Sequence, residues 1–204
     1  MKFEVGKKLE PFCCDTICQD GVSAEDLTEG MPTMFLFLRY YGCRICQLDL
    51  RDLDLGYEAV RQAGGRVVVV LQSKREILEA AAEEKPFPYT VICDPDMKLY
   101  RQFEILPAAD KDELKGGDAP KKSARAVEMG LVHGEYEGNE LQLPAAVLVD
   151  EMCIRDSPYI AYVFCVKHFV LIYSNVRTSW IFLNLWYTYF HKRLIHDHSI
   201  SQAL

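Results

Sequence analysis

The chain has 204 residues, of which 50% are hydrophobic and 26% charged, a mixture typical of one globular domain. Its formal net charge of −7 argues against a nucleic-acid partner. The first residues, MKFEVGKKLEPF, lack the apolar segment of a signal peptide, and no uninterrupted apolar stretch is long enough to cross a bilayer. These features favour a cytoplasmic protein whose core domain has no membrane partner.

The composition changes sharply near residue 151. All 12 glycines precede this point, and both tryptophans follow it. Residues 1–151 hold 28 acidic and 18 basic residues, whereas residues 152–204 hold two acidic and five basic ones. The sequence therefore predicts a domain over residues 1–151 and a separate aromatic-rich tail over residues 152–204.

The first predicted elements are a buried strand over residues 34–41 and a helix over residues 43–63. The strand is the short apolar and aromatic run MFLFLRYY, which Gly42 interrupts. In the helix, apolar residues recur at helical spacing until Gly64 and Gly65 end it.

The next predicted elements repeat this alternation. The run RVVVVLQ over residues 66–72 is β-branched and continuous, which predicts a strand buried on both faces. Ser73 is predicted to cap a helix that ends near residue 84. A third strand is predicted over residues 89–94, and Asp94-Pro95 then indicates a turn and the start of a short helix.

Residues 107–143 are polar and mixed in charge, which predicts a solvated insertion, including His133, with one helix near residues 121–129. The segment LPAAVLVDE over residues 143–151 predicts a fourth strand. The alternation of strands and helices predicts an α/β fold with a central, mostly parallel sheet and flanking helices.

Two of the eight cysteines, Cys43 and Cys46, lie where the first strand gives way to the helix. A helix N-terminus has free N–H groups and a partial positive charge, which stabilise a thiolate. Arg39, at the end of the strand, can add positive charge. Because Cys46 lies on the same helical face as Cys43, one sulfur can attack a substrate and the other can close an intramolecular disulfide.

Other interpretations of these thiols remain open. The C-x-x-C spacing also fits half a zinc site, and buried cysteines are common in protein cores. Cys13, Cys14 and Cys18 could add ligands for a soft metal, giving a non-catalytic metal-binding module. A redox-inert interaction module is the third alternative, but the α/β context favours redox chemistry without a bound metal.

Two further residues, next to the thiols, fit more than one role. Tyr40 and Tyr41 can line a pocket beside Cys43 or belong to the aromatic core. Cys93 lies within a predicted strand and is expected to be a buried core thiol.

The segments FLFLRYYGCRICQLDLRDL, GGRVVVVLQS, FPYTVICDPDMKLYRQFEI and HGEYEGNELQLPAAVLVDE together resemble the peroxiredoxin-like branch of the alkyl-hydroperoxide-reductase/thiol-specific-antioxidant group. The resemblance covers most of residues 1–151 and implies a thioredoxin-like fold. It implies a thiol oxidoreductase that reduces peroxides or disulfides without a bound cofactor and is reduced again by a thioredoxin-like partner. A homo-oligomer is compatible with it. It also implies a cis bond before Pro144, facing the thiols, although spacing alone fits an ordinary proline at a strand start.

One departure from this family leaves the attacking thiol open. Typical peroxiredoxins carry Pro-x-x-x-Thr-x-x-Cys, and neither Cys43 nor Cys46 has those residues at those spacings. By this resemblance Cys46 would attack in a peroxidase, whereas Cys43 would attack in a disulfide reductase.

The tail begins with MCIRDS, which resembles the translation of a sequencing adapter. We therefore predict that residues 152–204 are not native to the domain, and that the last strand and closing helix of the thioredoxin-like fold are missing or replaced. Such a chain would expose a sheet edge. The alternative is a genuine hydrophobic helix that covers the sheet or touches a membrane.

Overall fold

The computed structural model describes residues 8–149 and the backbone of Val163–Phe164. None of the described helices combines the length and apolar character that a bilayer crossing requires. Within these residues, the elements in chain order are β1 (Cys13–Thr16), β2 (Val22–Ser23), α1 (Ala24–Thr28), β3 (Thr33–Phe37), α2 (Arg44–Gln62), β4 (Arg66–Leu71), α3 (Arg75–Glu84), β5 (Thr90–Cys93), α4 (Lys98–Gln102), α5 (Lys111–Leu114), α6 (Ala119–Glu128), β6 (Ala145–Val149) and β7 (Val163–Phe164).

These strands form one mixed sheet in the order β2-β1-β5-β4-β3-β6-β7. The centre of the sheet is parallel, because β4 pairs in parallel with both β3 and β5. On either side, β1 and β6 run antiparallel to their neighbours. The predicted α/β fold with flanking helices is confirmed. The sheet is mixed where a mostly parallel one was predicted, because the fourth predicted strand, β6, is antiparallel, as are the pairings of β1 and β7.

The strand β4 is buried on both faces, as its sequence predicts. Val67, Val69 and Leu71 belong to a core cluster with residues of α2 and α3. Val68 and Val70 point to the opposite cluster, which includes residues of α1 and α4. Helices therefore cover both faces of the sheet, and burial of both faces explains the unbroken apolar run.

The ends of the helices fit the sequence in two places and differ in a third. Gly64 adopts a φ of +77° just after α2, and Asp94 accepts hydrogen bonds from the first amides of α4, at Lys98 and Leu99. The prediction that Ser73 caps the following helix is wrong, because Lys74 is the cap residue of α3 and its side chain makes no capping bond. The Ser73 hydroxyl is instead held by the 107–143 segment, through Glu137.

The 107–143 segment is more ordered than the sequence indicates. It contains two helices, α5 and α6, where one was predicted. Helix α6 packs on α2 through two ion pairs with buried carboxylates: Lys122 with Asp49 at 2.6 Å, and Arg125 with Asp52 at 2.6 Å. These pairs bring the segment back to the helix that begins at the thiols.

Only one element of the tail is described. The short strand β7 pairs antiparallel with β6, Phe164 opposite Ala146 and Val163 opposite Val147. The sheet thus continues one strand past β6, so the expected exposed edge is covered at these two residues. The remaining residues of the predicted tail, and the closing helix of the fold, lie outside the described residues. That residues 152–204 are not native stays a prediction.

We expect Arg125→Met to lower the free energy of unfolding by about 1–3 kcal/mol, because it leaves the Asp52 carboxylate buried without its guanidinium partner. Lys115→Met is the matched control, since Lys115 and its partner Asp112 are both exposed and such pairs contribute about 0–1 kcal/mol. Urea denaturation followed by circular dichroism measures both. Equal midpoints for the two variants would contradict a stabilising role for the α2–α6 pair.

Candidate active site

The two thiols lie at the N-terminus of α2. Cys43 is the residue that caps this helix, and the backbone N–H of Cys46 donates a hydrogen bond to its Sγ at 3.4 Å. Both side chains are covered, with 2% of Cys43 and 4% of Cys46 exposed. Both cysteines are free thiols. The sequence prediction that the helix begins at the C-x-x-C motif is therefore confirmed.

The two sulfurs differ in acidity. The pKa of Cys43 falls from 9.0 to about 6, mainly because the Cys46 side chain hydrogen bonds to it and because Arg39 is positively charged. Backbone N–H groups at Cys46 and Ile45 add to the effect, and burial opposes it. Burial and the neighbouring Cys43 raise the pKa of Cys46 well above 9.0. At neutral pH Cys43 is thus mainly a thiolate and Cys46 a thiol.

The three residues before Gly42 take separate roles. Arg39 is half-buried, and its Nη1 donates to the carbonyl oxygen of Glu140 at 2.8 Å. Tyr40 is fully buried and points towards the 107–143 segment. Tyr41 packs edge-on against Phe87, with ring centroids 6.0 Å apart, and so belongs to the aromatic core.

Gly42 is in backbone contact with the 107–143 segment. The N–H of Gly134 donates to the carbonyl oxygen of Gly42 at 2.8 Å. A Cβ at Gly42 would lie 2.4 Å from the carbonyl oxygen of Glu135, closer than atoms can approach. Gln47 of α2 adds a bridge, because its amide donates to the carbonyls of both Gly42 and Val132. This position therefore requires glycine for close packing against the segment.

Polar side chains also connect the 107–143 segment to the residues that follow β3. The Tyr40 hydroxyl donates to the carboxylate of Glu140 and lies 3.1 Å from Nε2 of His133. The prediction that His133 is solvated is thus wrong, because its ring is half-buried and is held between Tyr40 and Tyr136.

A second set of polar contacts attaches the segment at the end of β4. Ser73 accepts from the N–H of Tyr41 at 2.8 Å and donates to the carboxylate of Glu137 at 2.7 Å. The buried side chain of Gln72 accepts from the N–H of Asn139. Sequence reasoning missed this cover over the thiols. The signal was present in HGEYEG, where two glycines enclose three side chains that can form hydrogen bonds.

Pro144 does not follow a cis bond, since no peptide bond in the described residues is cis; the expectation drawn from the resemblance is wrong here. The proline directly precedes β6, and Ala145 pairs with Phe37 at the end of β3. Proline in its ordinary trans form suits this position, because it precedes the first paired residue of the strand.

The metal-binding alternative finds no support in residues 8–149, where no three histidine, cysteine or acidic side chains converge as a metal site. Cys13 and Cys14 lie on β1, which two further strands, β5 and β4, separate from β3. The sheet therefore separates Cys13 and Cys14 from Cys43 and Cys46. Cys93 is buried at the end of β5, as predicted.

Residues 5–156 match the model of the AhpC/TSA family. The chain therefore belongs to this family, as the resemblance indicated, and is a thiol-dependent oxidoreductase by class. No curated protein matches the sequence.

Solved structures share the fold at low sequence identity. Enterococcus faecalis AhpC is 17% identical with a TM-score of 0.57, covering 98% of this chain and 97% of that one. The Xanthomonas campestris bacterioferritin comigratory protein is 11% identical with a TM-score of 0.56, covering 88% and 92%. Mycobacterium tuberculosis peroxidoxin BcpB is 11% identical with a TM-score of 0.53, covering 82% and 94%. These similarities confirm the thioredoxin-like fold.

We expect iodoacetamide to alkylate Cys43 with a pH midpoint near 6 and to leave Cys46 largely unmodified at pH 7, because only Cys43 is a thiolate there. The rate at Cys43 should rise as pH passes upward through about 6 and then level off. Trypsin cleaves after Arg39 and Arg44, so mass spectrometry reads the two cysteines on separate peptides, YYGCR and ICQLDLR.

The pH profile of the urea-unfolded chain is the control, since both thiols should then titrate together at the ordinary value near 8.5. If Cys43 has the same pH midpoint in the folded and the unfolded chain, the helix N-terminus does not lower its pKa.

We expect Gly42→Ala to destabilise the fold, because the added methyl group must displace the backbone at Glu135. By comparison with other small-to-large changes in packed regions, the loss is about 1–3 kcal/mol. Gly56→Ala in α2 is the control, since its Cβ would meet nothing within 4 Å, and alanine favours helix by about 1 kcal/mol. The urea midpoint should fall in Gly42→Ala and rise in Gly56→Ala. A Gly42→Ala midpoint equal to that of the parent chain would contradict the close packing at Gly42.

Proposed function

We propose that the chain reduces peroxides or disulfides through a Cys43–Cys46 thiol/disulfide cycle in which Cys43 attacks first. The observation that carries the proposal is the position of Cys43 Sγ at the N-terminus of α2. There the sulfur accepts a hydrogen bond from the backbone N–H of Cys46, with 3.4 Å between nitrogen and sulfur. That arrangement supports a thiolate at neutral pH, and the thiolate is the nucleophilic form of cysteine.

In the first step with a peroxide, the Cys43 thiolate attacks the nearer oxygen and the O–O bond breaks. The sulfur becomes a sulfenic acid that keeps the proton of the attacked oxygen, and the other oxygen leaves as alkoxide or hydroxide, which takes a proton from water or a nearby acid. Two electrons pass from sulfur to the peroxide.

In the second step, the Cys46 thiol loses its proton and attacks the Cys43 sulfur. An S–S bond forms, and the sulfenic oxygen leaves as water. With a disulfide substrate, the Cys43 thiolate forms a mixed disulfide, and Cys46 then displaces the second sulfur of the substrate. A dithiol reductant of thioredoxin type restores both thiols by disulfide exchange, and no bound cofactor enters either route.

Acidity supports Cys43 over Cys46 as the first nucleophile. The pKa of Cys46 is raised by burial and by its neighbour, so its reactive form is scarce at neutral pH. A resolving thiol, in contrast, has to remain protonated and unreactive until Cys43 has been oxidised. The same chain supplies both sulfurs, so a homo-oligomer is compatible with this chemistry without being needed for it.

The residues around the pair have supporting roles in this cycle. Arg39 adds the positive charge that favours the thiolate, and Gly42 lets the 107–143 segment approach. Tyr40 anchors that segment, whereas Tyr41 supports the fold through Phe87. We place the enzyme in the cytoplasm, because a recycled thiol pair needs a reducing pool.

Stopped-flow consumption of hydrogen peroxide by the full chain, with a dithiol reductant, tests the cycle. We expect Cys43→Ser to lower the rate at least about 100-fold, because serine supplies no thiolate at neutral pH. Cys46→Ser should keep a single turnover and leave a sulfenic acid on the YYGCR peptide, which dimedone traps.

Cys93→Ser is the matched control, since Cys93 is also buried but has its pKa raised to about 11 by burial. Its rate should equal that of the parent chain. The assignment of Cys43 is wrong if the Cys43→Ser variant consumes hydrogen peroxide as fast as the parent chain does and also reduces a small disulfide as fast. A dimedone adduct on ICQLDLR would instead make Cys46 the first nucleophile.

A further inference from the structure

A buried carboxylate follows Cys46 on the helix that begins at the thiols. Asp49 is the first acidic residue of α2, three residues after Cys46, and only 7% of Asp49 and 4% of Cys46 are exposed. Side chains three residues apart lie on the same side of a helix, with about 5–6 Å between their Cβ atoms. The negative charge of Asp49 is one of the causes that raise the pKa of Cys46. The fold thus places a buried proton acceptor beside the second thiol.

Helix α6 favours the ionised form of this carboxylate. Nζ of Lys122 lies 2.6 Å from Oδ1 of Asp49, and the side chain of Lys122 is itself largely covered. Burial raises the pKa of Asp49, whereas the positive charges of Lys122 and, to a smaller extent, Arg125 lower it. A carboxylate that burial makes more basic and an ammonium group keeps ionised is suited to accept a proton.

The proposed cycle needs such an acceptor at the moment when Cys43 has been oxidised. Before oxidation, the Cys43 thiolate helps to hold the proton on Cys46, through its hydrogen bond and its negative charge. A sulfenic acid at Cys43 lacks that charge. Burial remains, and it disfavours a free thiolate at Cys46. Transfer of the proton to an acceptor during the attack is therefore easier than ionisation beforehand.

We propose that Asp49 is the general base of the second step: its carboxylate takes the proton of Cys46, directly or through one water, while the Cys46 sulfur attacks Cys43. The inference rests on the proposed function and names the group that activates the resolving thiol. Lys122 is a positioning residue, because it holds the carboxylate at the contact between α2 and α6.

The step balances without a further reactant. The S–H bond of Cys46 breaks and its proton passes to Asp49. The electron pair left on that sulfur forms the S–S bond, and the S–O bond of the sulfenic acid at Cys43 breaks. The leaving hydroxide takes a proton from solvent to become water, and Asp49 returns its own proton to solvent. Thiol and sulfenic acid thus give disulfide and water.

Other charged and titratable groups of the neighbouring elements act on these two residues. Around Cys46 they are Arg39, Cys43 and Tyr100. Around Asp49 they are Lys122, Arg125 and Asp52. Arg39 is a cation, burial raises the pKa of Tyr100 well above 10.0, and Cys43 is the sulfur under attack. Among the groups around Cys46, Asp49 is therefore the one able to accept its proton.

Asp52 provides a matched comparison on the same helix. It is also buried, and its Oδ1 lies 2.6 Å from Nη2 of Arg125 on α6. Along the helix axis, Asp52 is about 9 Å from Cys46, whereas Asp49 is about 4.5 Å from it. Replacing either carboxylate breaks a buried ion pair with α6, but only the Asp49 variant loses a carboxylate beside the thiol.

Rapid-quench oxidation of the full chain by hydrogen peroxide separates the two steps. Mass spectrometry of the peptides that contain Cys43 and Cys46 reads the loss of the Cys43 thiol and the appearance of the disulfide. We expect Asp49→Asn to keep the first rate and to lower the rate of disulfide closure at least about tenfold at pH 7, because the acceptor is lost. Asp52→Asn should keep both rates. Equal closure rates in the two variants would overturn the inference.

The pH profile of closure distinguishes a proton acceptor from a structural support. In the parent chain the rate should rise as pH passes upward through the pKa of Asp49 and then level off, because only the ionised carboxylate accepts. Lys122→Gln removes the cation that lowers this pKa, so the rise should move to higher pH. An unmoved rise in Lys122→Gln would overturn the inference even if Asp49→Asn failed to fold.

The Asp49→Asn variant should have a different pH profile. Its closure rate should climb about tenfold per pH unit across neutral pH, since Cys46 must then ionise unaided. A rate that still levels off in this variant would mean that another group takes the proton.

Alkylation of Cys46 in a Cys43→Ser background tests the effect of Asp49 on the thiol without the redox cycle. We expect a pH midpoint about one unit lower with Asp49→Asn than with Asp52→Asn, because the nearer negative charge is removed. A Cys46 that ionises more readily yet closes more slowly has lost its proton acceptor, whereas a charge effect alone would speed closure. Equal midpoints, or faster closure in Asp49→Asn, would overturn the inference.

The two proposals are overturned by different results. If the parent chain forms no disulfide between Cys43 and Cys46, the proposed cycle is wrong and the role of Asp49 with it. If the disulfide forms as fast in Asp49→Asn as in the parent chain, the cycle stands and Asp49 is not its base.

Discussion

The chemistry proposed for this protein depends on the position of the Cys43 sulfur at the N-terminus of α2, where it accepts a hydrogen bond from the N–H of Cys46. The bond exists because the chain leaves β3, turns at Gly42 and enters α2 with a cysteine as its capping residue. A sulfur in that place receives amides that no carbonyl within the helix can use. The strong parallel centre of the sheet, with β4 buried on both faces, holds the start of the helix in position for that bond.

The second constraint is the packing of the 107–143 segment against the start of α2. The segment between β5 and β6 returns to the thiols, pinned to α2 by ion pairs and to Gly42 by its backbone. It packs against Gly42, the residue directly before Cys43. Both thiols are buried, and burial raises the pKa of Cys46. In the proposed cycle, the difference in acidity makes Cys43 the nucleophile and leaves Cys46 as the resolving thiol.

The sequence was sufficient for the parts governed by local pattern. Continuous apolar runs marked β3, β4 and β5, and the helical spacing after Cys43 marked α2, with Gly64 at its end. The resemblance to a known family supplied the fold. Ser73 was misassigned because a serine before a helix normally caps it, whereas here a distant glutamate, Glu137, competes for the hydroxyl.

The contacts of the 107–143 segment could not be predicted, because they are non-local. Tyr40 and Glu140 are 100 residues apart in sequence, and no periodicity in either segment reveals the pair. The charge and polarity of the segment predicted exposure to solvent. A polar residue such as His133 can nevertheless be partly buried, because Tyr40 supplies a hydrogen-bonding partner. The trans form of Pro144 likewise came from the structure alone.

The near-complete burial of Cys43 has a consequence for the order of events in a catalytic cycle. A molecule of two or three heavy atoms needs only a narrow channel between side chains to arrive at the sulfur. A protein that donates electrons must place its own cysteine against the new disulfide, which requires the overlying residues to swing aside. In the proposed cycle, oxidation and re-reduction therefore make opposite demands on the residues that cover Cys43.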